Sequence, residues 1–208
     1  MKQVPNEVLQ RDLEKYRQRA IELGARDAKV ITASTVVIDE RVRAKCTVPL
    51  CPSYGTNSNC PPYSMSLDFV RKMVHNFHYG ILISLDVSPD VITGKGADDR
   101  LKRRHPMTKN YEIVAKIEAE AFYDGYYLAQ GFAGGSCKPV FCPDNDCSAL
   151  VTGQGCRYPL RGRASMEGIG INAFAMATGV GWDMYSVGQA ASQSEVPHGM
   201  IMGLVLIY

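Results

Sequence analysis

GILISLDV, Gly80 to Val87, and HGMIMGLVLI, His198 to Ile207, are short runs dominated by Ile, Leu, Val and Met. Such runs are far too short to cross a bilayer and read as buried strands. Helical patterns surround them. Leu9, Leu13, Tyr16, Ala20 and Leu23 recur at steps of four and three, forming one apolar stripe that stops at Gly24. Ser66 can cap a helix from Leu67 to about Phe77. Val114, Ile117, Ala121, Gly125 and Leu128 mark a longer helix, and Ser165 is placed to cap a third that runs to about Thr178. Ala28 to Ile38 and Trp182 to Val187 read as further strands, and Asp39 to Lys45 as a short helix. Residues 88 to 109 hold Pro89, Gly94, Gly96, Pro106 and a charge run, which predicts an exposed loop or lid. Gly131 to Gly135 predicts a turn. The fold class that follows is α+β: one domain over residues 1–208, with a small mixed sheet flanked by helices and two cysteine-rich loops.

A chain of 208 residues that is 46% hydrophobic and 21% charged can bury a real core, which excludes a disordered tail or a fibre. Its net charge of +2 is spread along the chain, so charge gives no argument for nucleic acid. The opening residues MKQVPNEVLQRDLEKY lack the apolar stretch of a secretory signal, and a soluble cytoplasmic protein is the expectation.

Seven cysteines fall in two groups, CTVPLCPSYGTNSNC from Cys46 to Cys60 and CKPVFCPDNDCSALVTGQGC from Cys137 to Cys156. Cys46, Cys51 and Cys60 are separated by four and then eight residues, and Cys142, Cys147 and Cys156 repeat those intervals, with Cys137 in addition. An odd total leaves one cysteine over in any set of disulfides, and in a reducing compartment clustered thiols bind metal more often than they pair. Four thiolates suit a cubane cluster, in which each iron takes one protein ligand, and the second group supplies four. Prolines follow Cys51, Cys60 and Cys142, as in the Cys-Pro runs of small ferredoxins. Gly55, Gly153 and Gly155 allow the backbone to approach sulfur closely. Two 4Fe-4S clusters are the reading that results. Its alternatives are structural zinc, which usually uses Cys-x-x-Cys knuckles absent here, and redox-active or unligated thiols.

The segments CTVPLCPSYGTNSNCPPYS, GGSCKPVFCPDNDC and GCRYPLRGRASMEGIGI together resemble the predicted metal-binding proteins grouped as domain-of-unknown-function 2284, over most of the chain. The resemblance implies iron-sulfur or other metal binding in anaerobic-type metabolism, and no established reaction.

Arg157, Arg161 and Arg163 crowd the end of the second group, where they could tune a negatively charged cluster or grip an anionic ligand, as against forming a solvated basic face. Glu167 fits the first turn of the helix expected after Ser165 better than an acid-base role. His75, His78, His105 and His198 are scattered, although one could complete the three-cysteine site in space. Tyr54 and Tyr63 could shield the first group from water. The functional expectation is electron transfer to a redox partner protein. Its alternatives are an enzyme with an open iron held by Cys46, Cys51 and Cys60, and a zinc-stabilised binding module.

Overall fold

The computed structural model describes residues 4–208, apart from the side chains of residues 98 and 100. Its centre is a four-stranded sheet of β1 (Asp27–Thr32), β2 (Tyr79–Val87), β3 (Gln130–Phe132) and β4 (Gly199–Leu206), in the order β1-β2-β4-β3. Every pairing is antiparallel, so the α+β class holds while the sheet is not mixed. The two runs singled out in the sequence are its central pair, with Gly80 opposite Leu206 and Val87 opposite Gly199.

Helices are α1 (Asn6–Glu22), α2 (Glu40–Ala44), α3 (Leu67–His75), α4 (Pro89–Ile92), α5 (Arg100–Tyr123), α6 (Lys138–Phe141), α7 (Ser148–Val151) and α8 (Ala173–Gly179). Side chains alternate across a strand, so β2 and β4 reach two cores. On one face Ile81, Ile83 and Val205 pack with Leu9, Leu13, Tyr16 and Ala20 of α1 and Ile113, Val114 and Ile117 of α5. On the other, Leu82, Leu204 and Leu206 pack with Val70 and Val74 of α3, Met176 of α8 and the segment Met166, Ile169, Ile171. Coverage on both faces is why the central strands are apolar at consecutive positions rather than at alternate ones.

Further expectations are corrected, and the long helix read through Gly125 and Leu128 ends at Tyr123. The first strand stops at Thr32, where Ala33–Thr35 turns tightly and the Thr35 hydroxyl donates to the Thr32 carbonyl at 2.7 Å. Residues 88–109 are no loop: α4 and a 3-10 turn at Gly94–Asp98 precede α5. Helix α5 begins where the Asp99 carboxylate accepts the N–H groups of Leu101 at 3.0 Å and Lys102 at 3.1 Å, and it carries Pro106 inside. Residues 182–187 form no strand; Trp182 instead donates from Nε1 to Asp27 at 2.9 Å.

The helix expected from Ser165 to Thr178 is two pieces, a 3-10 turn at Glu167–Ile169 and α8, which Asn172 caps by accepting the N–H of Ala175 at 3.0 Å. Gly170 divides them with φ of +83°, and a Cβ there would collide with Leu67. Gly170→Ala is expected to destabilise by about 1–3 kcal/mol, seen as a lower denaturation midpoint at unchanged slope. Equal midpoints would mean that the turn relaxes freely. The break turns Ile171 into the core and leaves Gly168 and Gly170 free to anchor the first cysteine segment.

Candidate metal centre

The first cysteine segment leaves α2 through hydrogen-bonded turns rather than regular structure. Cys46 N–H donates to the Arg43 carbonyl at 3.0 Å, Cys51 N–H to that of Cys46 at 3.1 Å, and Gly55 N–H to that of Pro61 at 2.8 Å. Its base is pinned by Asp39 N–H to the Gly170 carbonyl at 2.9 Å and by the Ser64 hydroxyl to the Gly168 carbonyl at 2.9 Å. Cys60 is buried, whereas Cys46 and Cys51 are part-buried. Burial pushes the Cys46 thiol up, and the neighbouring Cys51 and Cys60 push it further, so the three thiols stand within electrostatic reach of one another.

The second segment is closed at its base by a parallel bridge between Ala133 and Ser165. Cys137, Cys142, Cys147 and Cys156 all line one small cavity. Cys147 precedes the first residue of α7, and although burial opposes ionisation, N–H and hydroxyl of Ser58 and the N–H groups of Ala149 and Leu150 hold its thiol below the ordinary range. Tyr158 N–H donates to Cys156 Sγ at 3.3 Å. A Cβ on Gly162 would lie 3.3 Å from the Tyr158 carbonyl, a tight contact, and 3.4 Å from the same sulfur. Cys137 is the opposite case from Cys147: burial pushes its thiol up to about 12, partly offset by the Asn59 amide. Metal binding there must displace a proton, so loading is expected to favour higher pH.

The two segments meet. Asn57, buried in the first, donates to the Ser136 hydroxyl at 3.2 Å and accepts Asn59 N–H at 3.1 Å. Cys60 Sγ donates to the same Ser136 hydroxyl at 3.3 Å, and Asn59 Nδ2 donates to Cys137 Sγ at 3.5 Å. Asn57, Ser58 and Asn59 thereby form part of the wall of the four-cysteine cavity. Nothing in a one-dimensional reading singled them out, since their role depends on a segment about 80 positions away. Phe141 and Tyr158 stack at 5.3 Å beside the cavity, an aromatic cover that also escaped the sequence reading.

Of the three arginines, only Arg157 lines the cavity, and its guanidinium donates to the Asp146 carbonyl. Arg161 pairs with Glu112 and sits 5.3 Å over the Phe141 ring, while Arg163 pairs with Glu118 and donates to the carbonyls of Pro159 and Gly162. Arg161 and Arg163 therefore clamp the loop end to α5. His75, His78 and His105 are exposed, and His198 lies on a different cavity. Tyr54 is part-buried and Tyr63 exposed. Glu167 is part-buried, and burial pushes its carboxyl up even though its own N–H and that of Gly135, at 3.2 Å, stabilise the charge. Its electrostatic neighbours include Cys46 and Cys60.

The family model for predicted metal-binding proteins of domain-of-unknown-function 2284 matches residues 29–207. The chain belongs to that family. The match takes in both cysteine segments and all four strands except the first two residues of β1. Comparison with curated proteins and with solved structures finds no match. Among the described residues, no three His, Cys, Asp or Glu side chains form a group that could hold a single metal ion, and no helix is long and apolar enough to cross a membrane.

Proposed function

We propose that the seven cysteines hold two 4Fe-4S clusters and that the protein transfers electrons. The supporting observation is the junction at which Asn57, Asn59 and Cys60 of one segment touch Ser136 and Cys137 of the other. Redox sites on either side of such a contact would be near enough to exchange electrons. When bound, such clusters supply one-electron chemistry at potentials set by charge, hydrogen bonds to sulfur and exposure.

The donor set fits that group. Cys137, Cys142, Cys147 and Cys156 offer one thiolate per iron, and backbone N–H groups reach Cys147 and Cys156, the kind of support that cluster sulfur uses. A single zinc with bonds near 2.3 Å would need its sulfurs within about 4 Å of one another, whereas a cubane spreads them because each binds a different iron. Arg157 and Lys138 both line the four-cysteine cavity, and a positive charge there would raise the potential of a cluster. A redox partner protein, or a small anionic ligand, is the counterpart this reading needs, and cytoplasmic anaerobic-type metabolism is its setting.

Anaerobically purified protein is expected to be brown and to carry about eight irons per chain. Iron, sulfide and zinc analysis with a visible spectrum checks this. Stoichiometric zinc in colourless protein would replace the cluster reading with a zinc-stabilised module.

A further inference from the structure

A second cavity of about 260 Å³ opens between the start of α5, the ends of β2 and β4, and the irregular segment after α8. Its walls are largely apolar, from Val87, Ile92, Met107, Met184 and Ile201. Glu167, part-buried and accepting Gly135 N–H at 3.2 Å, lines it together with two exposed side chains of opposite sign, Arg103 and Asp183. Arg103 donates from Nη1 to the Ala97 carbonyl, and among the described residues neither side chain is in an ion pair. Both are met by solvent rather than by an opposite charge, so a guanidinium and a carboxylate stand at the cavity for a ligand to meet. His198 is a further lining residue. Its Nε2 is buried without a hydrogen-bond partner among the described residues, and its ring stands edge-on to Tyr185 at 5.2 Å. A buried ring nitrogen left unpaired is costly, and a ligand polar group in the cavity would satisfy it.

We propose that this cavity binds a free α-amino acid with an apolar side chain of about leucine or methionine size. The carboxylate answers Arg103, the ammonium answers Asp183, and the side chain enters among Met107, Met184 and Ile201. A simple organic acid would leave Asp183 facing its charge, and a simple amine would leave Arg103 facing its own. Gly134, Gly135 and Glu167 also line the cavity, and Ser136, next in the chain, touches Cys60, so the ligand would lie beside the three-cysteine site. The inference does not need the clusters.

Calorimetry on the anaerobically purified full chain tests it, with L-leucine, 4-methylpentanoate and 3-methylbutylamine as probes. Leucine should bind, and each analogue, lacking one charge, should bind at least about tenfold more weakly. Arg103→Gln and Asp183→Asn should each weaken leucine about fivefold or more, and each should leave unchanged or tighten the binding of the analogue that lacks the complementary charge. Fluorescence of Trp182, the sole tryptophan, next to Asp183, gives a second readout. No binding of leucine at about 10 mM, or 4-methylpentanoate binding as tightly as leucine, would overturn the proposal, and this comparison needs no variant. Iron measured on the same samples keeps the two readings apart: leucine binding to protein without iron would sink the clusters and leave the pocket.

Discussion

Cys142→Ser is expected to hold about four irons where the parent protein holds about eight, with the surviving cluster the more easily oxidised of the two. The expectation follows from how the thiols are distributed. Cys137, Cys142, Cys147 and Cys156 share one cavity, so each iron of a cubane there has its own thiolate, and losing one ligand leaves a cluster with an exposed iron in a loop built of turns. Cys46, Cys51 and Cys60 supply only three, and mild oxidation of the parent protein should convert that site first to a three-iron form. Cys51→Ser should then remove the oxidation-sensitive signal and spare the other. Cys60→Ser is expected to affect both sites, because the Cys60 sulfur shares the Ser136 hydroxyl with Asn57, which also stands 3.6 Å from Cys137 Sγ. Iron analysis with paramagnetic resonance and Mössbauer spectra separates these outcomes. Variants of both groups losing iron to the same extent would mean one shared cluster rather than two.

Stripping the metal anaerobically with a chelator is expected to lower the melting temperature by about 10 °C or more. For a chain of this size that shift corresponds to about 3–5 kcal/mol. The two cysteine segments contribute little to the cores on the sheet's two faces: Val48, Leu50, Val151 and Leu160 are 78%, 68%, 62% and 81% exposed, while Cys60 is buried and Val140 joins only a small third cluster with Met107, Tyr111 and Ala133. Turns of this kind do not order themselves against the entropy of the free chain, so ligation must supply most of what holds them. The sheet with α1 and α5 has a complete core of its own and should survive. Hydrogen exchange ought therefore to rise in residues 45–66 and 134–164 while β2 and β4 stay protected. Equal melting temperatures with and without metal would show that the segments fold without it.

The central strands, α1, α2 and α3 were legible because each is specified by its own residues. A consecutive apolar run, a stripe at steps of four and three, and the Ser66 hydroxyl that accepts Phe69 N–H at 3.3 Å are all local signals. The intervals between cysteines were legible for the same reason, and with them the family and the expectation of metal. Where the reading failed, distant partners had overridden local signals. Pro106 and the charge run suggested a loop, yet the following turns of α5 pack on β4 and the Asp99 cap starts the helix early. Gly170 looked tolerable inside a helix until Leu67 and the bridge between Ile38 and Ile171 fixed its conformation. Arginines that looked free to meet a cluster were drawn to Glu112 and Glu118 on α5, because an ion pair needs a neighbour in space and not in sequence. The sequence by itself determined buried central strands flanked by helices and two sets of cysteines at matching intervals. Only the tertiary structure decided that these sets touch through Asn57 and Ser136, and that a cavity with Arg103, Asp183 and His198 opens beside them, because hydrogen bonds and cavity walls join residues that the chain keeps far apart.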